Sequence, residues 1–139
     1  QGVLIPGLGT FCTVQEPLRL GTGELHMVRR PIFQLARNPG WRGWLKRPKV
    51  TLPEKVAIET LDFQHLSRAT LLPRPVVEDC VDETVLFFSS HLKRHENTSF
   101  VFKDVGVLCR EGNVARMKFF GSCIQQLEAT MGLVAALRS

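Results

Sequence analysis

The chain has 139 residues, 44% hydrophobic and 22% charged, with a net charge of +5 and a pI near 9.4. That balance fits a globular protein of one domain or two small ones, and no apolar run approaches the roughly 20 residues of a membrane-spanning helix. It permits an acidic partner, nucleic acid included, without requiring one.

The first element is an apolar run, Gly2-Val3-Leu4-Ile5, which stops at Pro6-Gly7, passes Gly9 and resumes as Thr10-Phe11-Cys12-Thr13-Val14. Pro6 fixes its own φ, and Gly7 or Gly9 can take a positive φ, so the stretch reads as strand, tight turn, strand. A Gly-x-Gly after a strand suits a dinucleotide only where a helix follows, and Thr10 to Val14 does not open one. Residues 15–24 read as the arm and turn of a hairpin, with Gly21 and Gly23 supplying the reversal. Leu25 to about Phe33 is the return strand, with Pro31 marking an edge position or a strand end. Residues 2–36 thus form three antiparallel strands with no helix among them, and so small a sheet is not stable alone. Its cover must come from later in the chain or from a part upstream of Gln1, and the start at Gln1 rather than methionine is read as a fragment.

Between Arg37 and Thr51, five cations (Arg37, Arg42, Lys46, Arg47 and Lys49) occur without an acid, interrupted by Trp41 and Trp44. Asn38-Pro39-Gly40 breaks any helix there, so the domain boundary falls inside a linker. The expected organisation is a partial first domain over 1–37, a basic linker over 38–55, a second domain over 56–129 and a helical tail over 130–139.

In the second domain, 62–72 carries a helical pattern with Asp62 as N-cap. Pro73-Arg74-Pro75 ends it and starts a second helix, whose stripe is Val76, Val77, Cys80, Val81, Thr84, Val85, Phe87, Phe88 and Leu92. Its acids (Glu78, Asp79, Asp82, Glu83) come early and its cations (Lys93, Arg94, with His95) late, as the helix dipole favours. Asn97 is read as its end. Strands follow from Ser99 to Phe102, to Cys109, and, after a reversal at Glu111-Gly112-Asn113, from Val114 to about Phe119. A closing helix is expected from Gly121 to Leu127, or onward to Leu137, with Ile124 and Leu127 on its inner face.

The two halves echo each other. Ile5-Pro6-Gly7-Leu8-Gly9-Thr10-Phe11 aligns with Phe102-Lys103-Asp104-Val105-Gly106-Val107-Leu108, Cys12 with Cys109, and Arg30-Pro31-Ile32-Phe33 with Met117-Lys118-Phe119-Phe120. Only the second glycine of the turn recurs, so Gly9 and Gly106 are expected to need glycine's backbone freedom, while Gly7 becomes Asp104. With Val76-Val77-Glu78-Asp79-Cys80, these motifs resemble the HU/IHF superfamily of histone-like DNA-bending proteins, in its eukaryotic tandem-HU form. The resemblance implies an α+β fold of tandem HU-like domains, each a three-stranded antiparallel sheet with helices, the first lacking its two leading helices. It also implies a non-enzymatic, centrosome-associated scaffold in the cytoplasm that binds proteins, with pairing between repeats or as a homodimer. The sequence departs from the family pattern at Asn38-Pro39-Gly40, which truncates the helix expected after Phe33.

DNA bending of the HU type needs a basic arm with a proline wedge. Here the arm carries Arg19 with Glu16 and Glu24, and Pro17 lies near its base; the second arm, Arg110-Glu111-Gly112-Asn113, is too short to wrap a duplex. The candidate contacts for nucleic acid or an acidic partner are Arg19, Arg29, Arg30, Arg42, Lys46, Arg47 and Lys49. They support nucleic-acid binding as the alternative function, with the tryptophans either stacking on bases or packing on a sheet. His91 and His95 have metal-ligand spacing but flank Lys93 and Arg94 and lack an acidic ligand. The four cysteines form no Cys-x-x-Cys pair, which favours reduced, packed thiols and an intracellular location. No catalytic residue, metal or cofactor is expected.

Overall fold

In the computed structural model, residues 2–38, 41, 45–46, 50–94 and 97–127 are described. In chain order the elements are β1 (Gly2–Ile5), β2 (Gly9–Arg19), β3 (Leu25–Leu35), β4 (Ile58–Thr60), α1 (Phe63–Thr70), α2 (Arg74–Arg94), β5 (Asn97–Phe102), β6 (Gly106–Glu111) and β7 (Val114–Phe119). Residues 121–127 are helical. The fold is α+β, with one mixed and one antiparallel sheet.

The first sheet has the order β3-β2-β1-β4, and the expectation of three antiparallel strands is corrected by β4, which pairs parallel to β1. Ile58–Thr60 is too short to show an alternating pattern, and all of it is exposed, so periodicity carries no signal there. The strand is fixed instead by its neighbours: Gly2 N donates to Ala57 O, and Leu61 N to Leu4 O. Pro31 lies on the edge strand β3, where its missing N–H leaves no gap in the ladder.

α1 begins where the N-cap pattern places it, with the Asp62 side chain accepting from His65 N. It ends at Leu71 in the left-handed region, φ 59°. α2 buries Val77, Phe88 and Leu92, with Val81 and Val85 half-buried. The rest of the expected stripe is not core: Val76, Cys80, Thr84 and Phe87 are exposed. The apolar residues of α2 form two stripes turned about 100° from each other, and one helix face can bury only one of them. Exposed Cys80 also departs from the expectation of packed thiols, whereas Cys12 is buried; all four cysteines are free. Asn97 opens β5 rather than ending α2, pairing with Glu111.

A single core joins the two halves. Leu8, Phe33 and Leu35 of the first sheet and Trp41 cluster with Phe88 and Leu92 of α2 and with Leu108 and Ala115 of the second sheet. Phe11 stands with its ring 4.7 Å from Phe33 and 5.6 Å from Phe102, so aromatic contacts cross from one sheet to the other. The cover that the first sheet needs therefore comes in part from α2: Val85 would lie 2.8 Å from a Cβ at Gly7.

Candidate interaction site

The turns come first, because they set what each sheet presents. Leu8 N donates to Ile5 O and Val105 N to Phe102 O, while Ala36 N donates to Leu8 O and Phe120 N to Val105 O. The strand registers agree: Ile5 pairs with Gly9 and Phe102 with Gly106, and Gly9 pairs with Leu35 as Gly106 does with Phe119. The turn alignment read from the sequence thus has the same hydrogen bonds on both sides. The return strands need a different alignment: Leu35 corresponds to Phe119, whereas the sequence match placed Phe33 on Phe120. The longer first hairpin hides this register from a motif comparison.

The glycine roles are also redistributed. Positive φ belongs to Gly7 (82°) and Asp104 (64°), the equivalent turn positions, so Asp104 occupies the left-handed conformation that short polar side chains tolerate. Gly9 has φ 150°, but Gly106 has no positive φ. What Gly9 and Gly106 share is crowding. A Cβ at Gly9 would collide with Gln34 O, and one at Gly106 would lie 2.5 Å from Lys118 O. Both residues let the return strand approach closely, and glycine is required for that space rather than for a shared dihedral.

From this turn β2 and β3 run out as an arm, paired through Arg19 and Leu25 and closed by Leu20 N to Glu24 O and Gly23 N to Leu20 O. Among the described residues only β2 and β3 pair beyond Cys12, and residues 15–27 are exposed on both ribbon faces. Four of the arm's exposed side chains are large and apolar, Leu18 (42% exposed), Leu20 (38%), Leu25 (63%) and Met27 (49%), set among exposed Glu16, Arg19, Glu24 and His26. Opposed pairs share a face, so Pro17, Arg19, Leu25 and Met27 lie on one side and Glu16, Leu18, His26 and Val28 on the other.

The described candidate cations are Arg19, Arg29, Arg30 and Lys46. Arg19 is exposed opposite Leu25; Arg29 is half-buried opposite Gln15; Arg30 Nε lies 3.2 Å from Glu16 Oε2 in a solvent-exposed ion pair. Lys46 is exposed and tied by its backbone to the second hairpin, N–H to Asn113 O, bridging Val114 in parallel. Arg42, Arg47, Lys49 and Trp44 lie outside the described residues, as does His95. Trp41 is 3% exposed and meets Phe88 edge-on at 6.3 Å, so its ring faces the core and cannot stack on a base. The His91 ring packs 4.2 Å from Phe87 and 6.0 Å from Phe100. Among the described residues no three metal-ligating side chains cluster.

One residue had a role that sequence reasoning missed. Arg110, in the second arm that is too short to wrap a duplex, is 5% exposed. Its Nη1 donates to the carbonyl of Leu92 in the last turn of α2, and its Nε donates to Gly112 O at 2.8 Å. The guanidinium thereby satisfies a helix-end carbonyl and a hairpin-turn carbonyl together. The alternation of β6, with Gly106, Leu108 and Arg110 buried in turn, is the signal that marks it as inward-facing. On exposed strand positions, Lys118 Nζ sits 3.0 Å from Glu111 Oε1, and this hydrogen bond raises the ammonium's pKa above its ordinary value.

Helix, helix, three antiparallel strands and a closing helix, with a glycine-crowded turn and a buried α2 stripe, describe the second half of the chain. The family model for the CCDC81 eukaryotic HU domain 2 matches residues 57–131, more than half of the 139 residues. The chain belongs to this HU-like family. The matched range begins just before β4, so the HU-like domain contributes a strand to the first sheet as well as building its own. CCDC81-type HU domains are not a known enzyme family.

Proposed function

We propose that this HU-like chain is a non-enzymatic protein-interaction module, and that its projecting arm is the binding element. The observation that carries this reading is the character of the arm: Leu18, Leu20, Leu25 and Met27 are exposed, while Arg30 is already paired with Glu16. A ribbon that offers apolar side chains on both faces is suited to another protein's groove, where burial stabilises by about 25 cal/mol per Å². It is poorly suited to a duplex, since phosphate neutralisation supplies most non-specific affinity. The recurring hydrogen bonds at the two turns support a tandem of HU-like units, the first contributing β1 to β3. The family resemblance supports a scaffold role at the centrosome.

Nucleic-acid binding remains the second reading, favoured by the cations of the 37–51 segment. A mobility-shift titration with duplex DNA over a salt series separates the two. The account expects weak binding at 150 mM salt with a shallow salt slope; nanomolar binding that falls steeply with salt overturns it.

A further inference from the structure

Along the last turns of α2 a cleft of about 540 Å³ opens between the helix and the residues Asn38 and Trp41. Its walls are held together: Asn38 Nδ2 donates to Ser89 Oγ at 3.0 Å, and the Trp41 ring packs edge-on against Phe88. Leu86, Ser90 and Lys93 follow at spacings of four and three, which sets them in one line along the helix, and with Arg94 they line the cleft. Leu86 is 69% exposed at one end, and Lys93 and Arg94 are exposed at the other. Neither cation has an ion pair among the described residues, whereas Arg74 and Glu78 on the same helix pair at 2.7 Å. The Leu92 carbonyl of that last turn accepts from Arg110 and does not hold them either. No carboxylate is among the described lining residues, and the acids Asp79, Asp82 and Glu83 all precede Leu86.

We propose that this cleft binds an acidic peptide segment of another protein, with an apolar residue against Leu86 and carboxylates against Lys93 and Arg94. The charge order of α2 sets the placement: acids are attracted at the Lys93 end and repelled at the Glu83 end. Leu86 and Lys93 are two helical turns apart, about 10 Å, a distance that extended chain spans in about three residues. The segment therefore carries its apolar residue and its acids three to four positions apart. The Ser90 hydroxyl lies between the two ends and can donate to a carbonyl of the peptide backbone. A peptide fits better than a nucleic acid, because two cations neutralise few phosphates and the Trp41 ring faces the core, where no base can stack on it. None of these residues belongs to the arm, so this site and the arm are lost independently.

The test is fluorescence anisotropy of the 139-residue chain with a short labelled peptide, in which one leucine is flanked on each side, three and four positions away, by a pair of glutamates. Saturable binding is expected. It should weaken at least about tenfold when glutamines replace the glutamates, and by a similar factor in the double variant Lys93→Glu with Arg94→Glu. Leu86→Ser should weaken it about fivefold, as expected for part of one buried leucine contact. The arm variant Leu25→Asp with Met27→Asp should bind the peptide as wild type does. Leu86, Lys93 and Arg94 are exposed, so circular dichroism should show these variants folded. Absence of saturable binding, or binding indifferent to the reversal of both cations, would overturn the proposal. So would a loss confined to the arm variant, or tighter binding of a single-stranded oligonucleotide of equal charge.

Discussion

The guanidinium of Arg110 donates to the main-chain carbonyl of Leu92, fastening the last turn of α2 to the hairpin of the second sheet. Both residues are buried, Leu92 at 0% and Arg110 at 5% exposure, so the carbonyl has little water to turn to if the side chain is lost. Arg110→Met keeps much of the volume but removes the donors. It is expected to lower stability by about 2 kcal/mol, the scale of a buried hydrogen bond to a charged group. Arg110→Lys should recover part of this. Urea unfolding followed by circular dichroism measures both; a change under about 0.5 kcal/mol for Arg110→Met, the range of an ordinary surface substitution, would deny the fastening role.

The glycine turns allow crowding to be separated from dihedral strain. Gly112 has φ 63° and open space where a Cβ would go, so Gly112→Ala should cost about 1 kcal/mol from backbone strain alone. Gly106 has no positive φ but a carbonyl oxygen 2.5 Å from the notional Cβ, so Gly106→Ala should cost about 3 kcal/mol through displacement of β7. Gly9→Ala combines both effects and should be the most damaging. Thermal melts of the three variants give the order; Gly112→Ala proving worse than Gly106→Ala would contradict the crowding account.

Adjacent phenylalanines on α2 make a matched pair. Phe88 is 3% exposed, between Trp41 and Phe100, while Phe87 is 59% exposed beside His91. Phe88→Ala should cost about 4 kcal/mol, and Phe88→Asp should unfold the core, whereas Phe87→Ala should change stability by about 0.5 kcal/mol or less. The melting temperatures decide it, and equal losses at the two positions would contradict the burial assignment.

These contrasts also show what could be read from the residues. Asp62 as N-cap, the proline-marked start of α2, the Gly112 reversal and the paired turns are local chemistry, in which a residue's own conformational preference fixes the outcome, and they stand where the sequence places them. The choice between the Val77–Phe88–Leu92 face and the Val76–Phe87 face was not legible, because both are apolar and only the sheets beneath decide which one is covered. β4 was hidden for a related reason: three exposed residues acquire strand geometry only by lying beside β1. The burial of Arg110 shows in the sequence only through its alternation with Gly106 and Leu108, which a motif reading of the short hairpin does not weigh. At the candidate site, the modest charge of the arm could be counted directly from residues 15–30. The apolar exposure of Leu18, Leu25 and Met27 required knowing that β1 stops short of the arm.

The most direct test of the arm as a protein-binding element is affinity capture of partners from cell extract, with and without nuclease. Wild type would be compared with a Leu25→Asp, Met27→Asp double variant. Both residues are exposed on one face of the arm, so the variant should melt within about 2 °C of wild type, as surface substitutions do. The account predicts a set of captured proteins that survives nuclease and is lost with the double variant. Proteins that disappear on nuclease treatment, and that the double variant still captures, would contradict it.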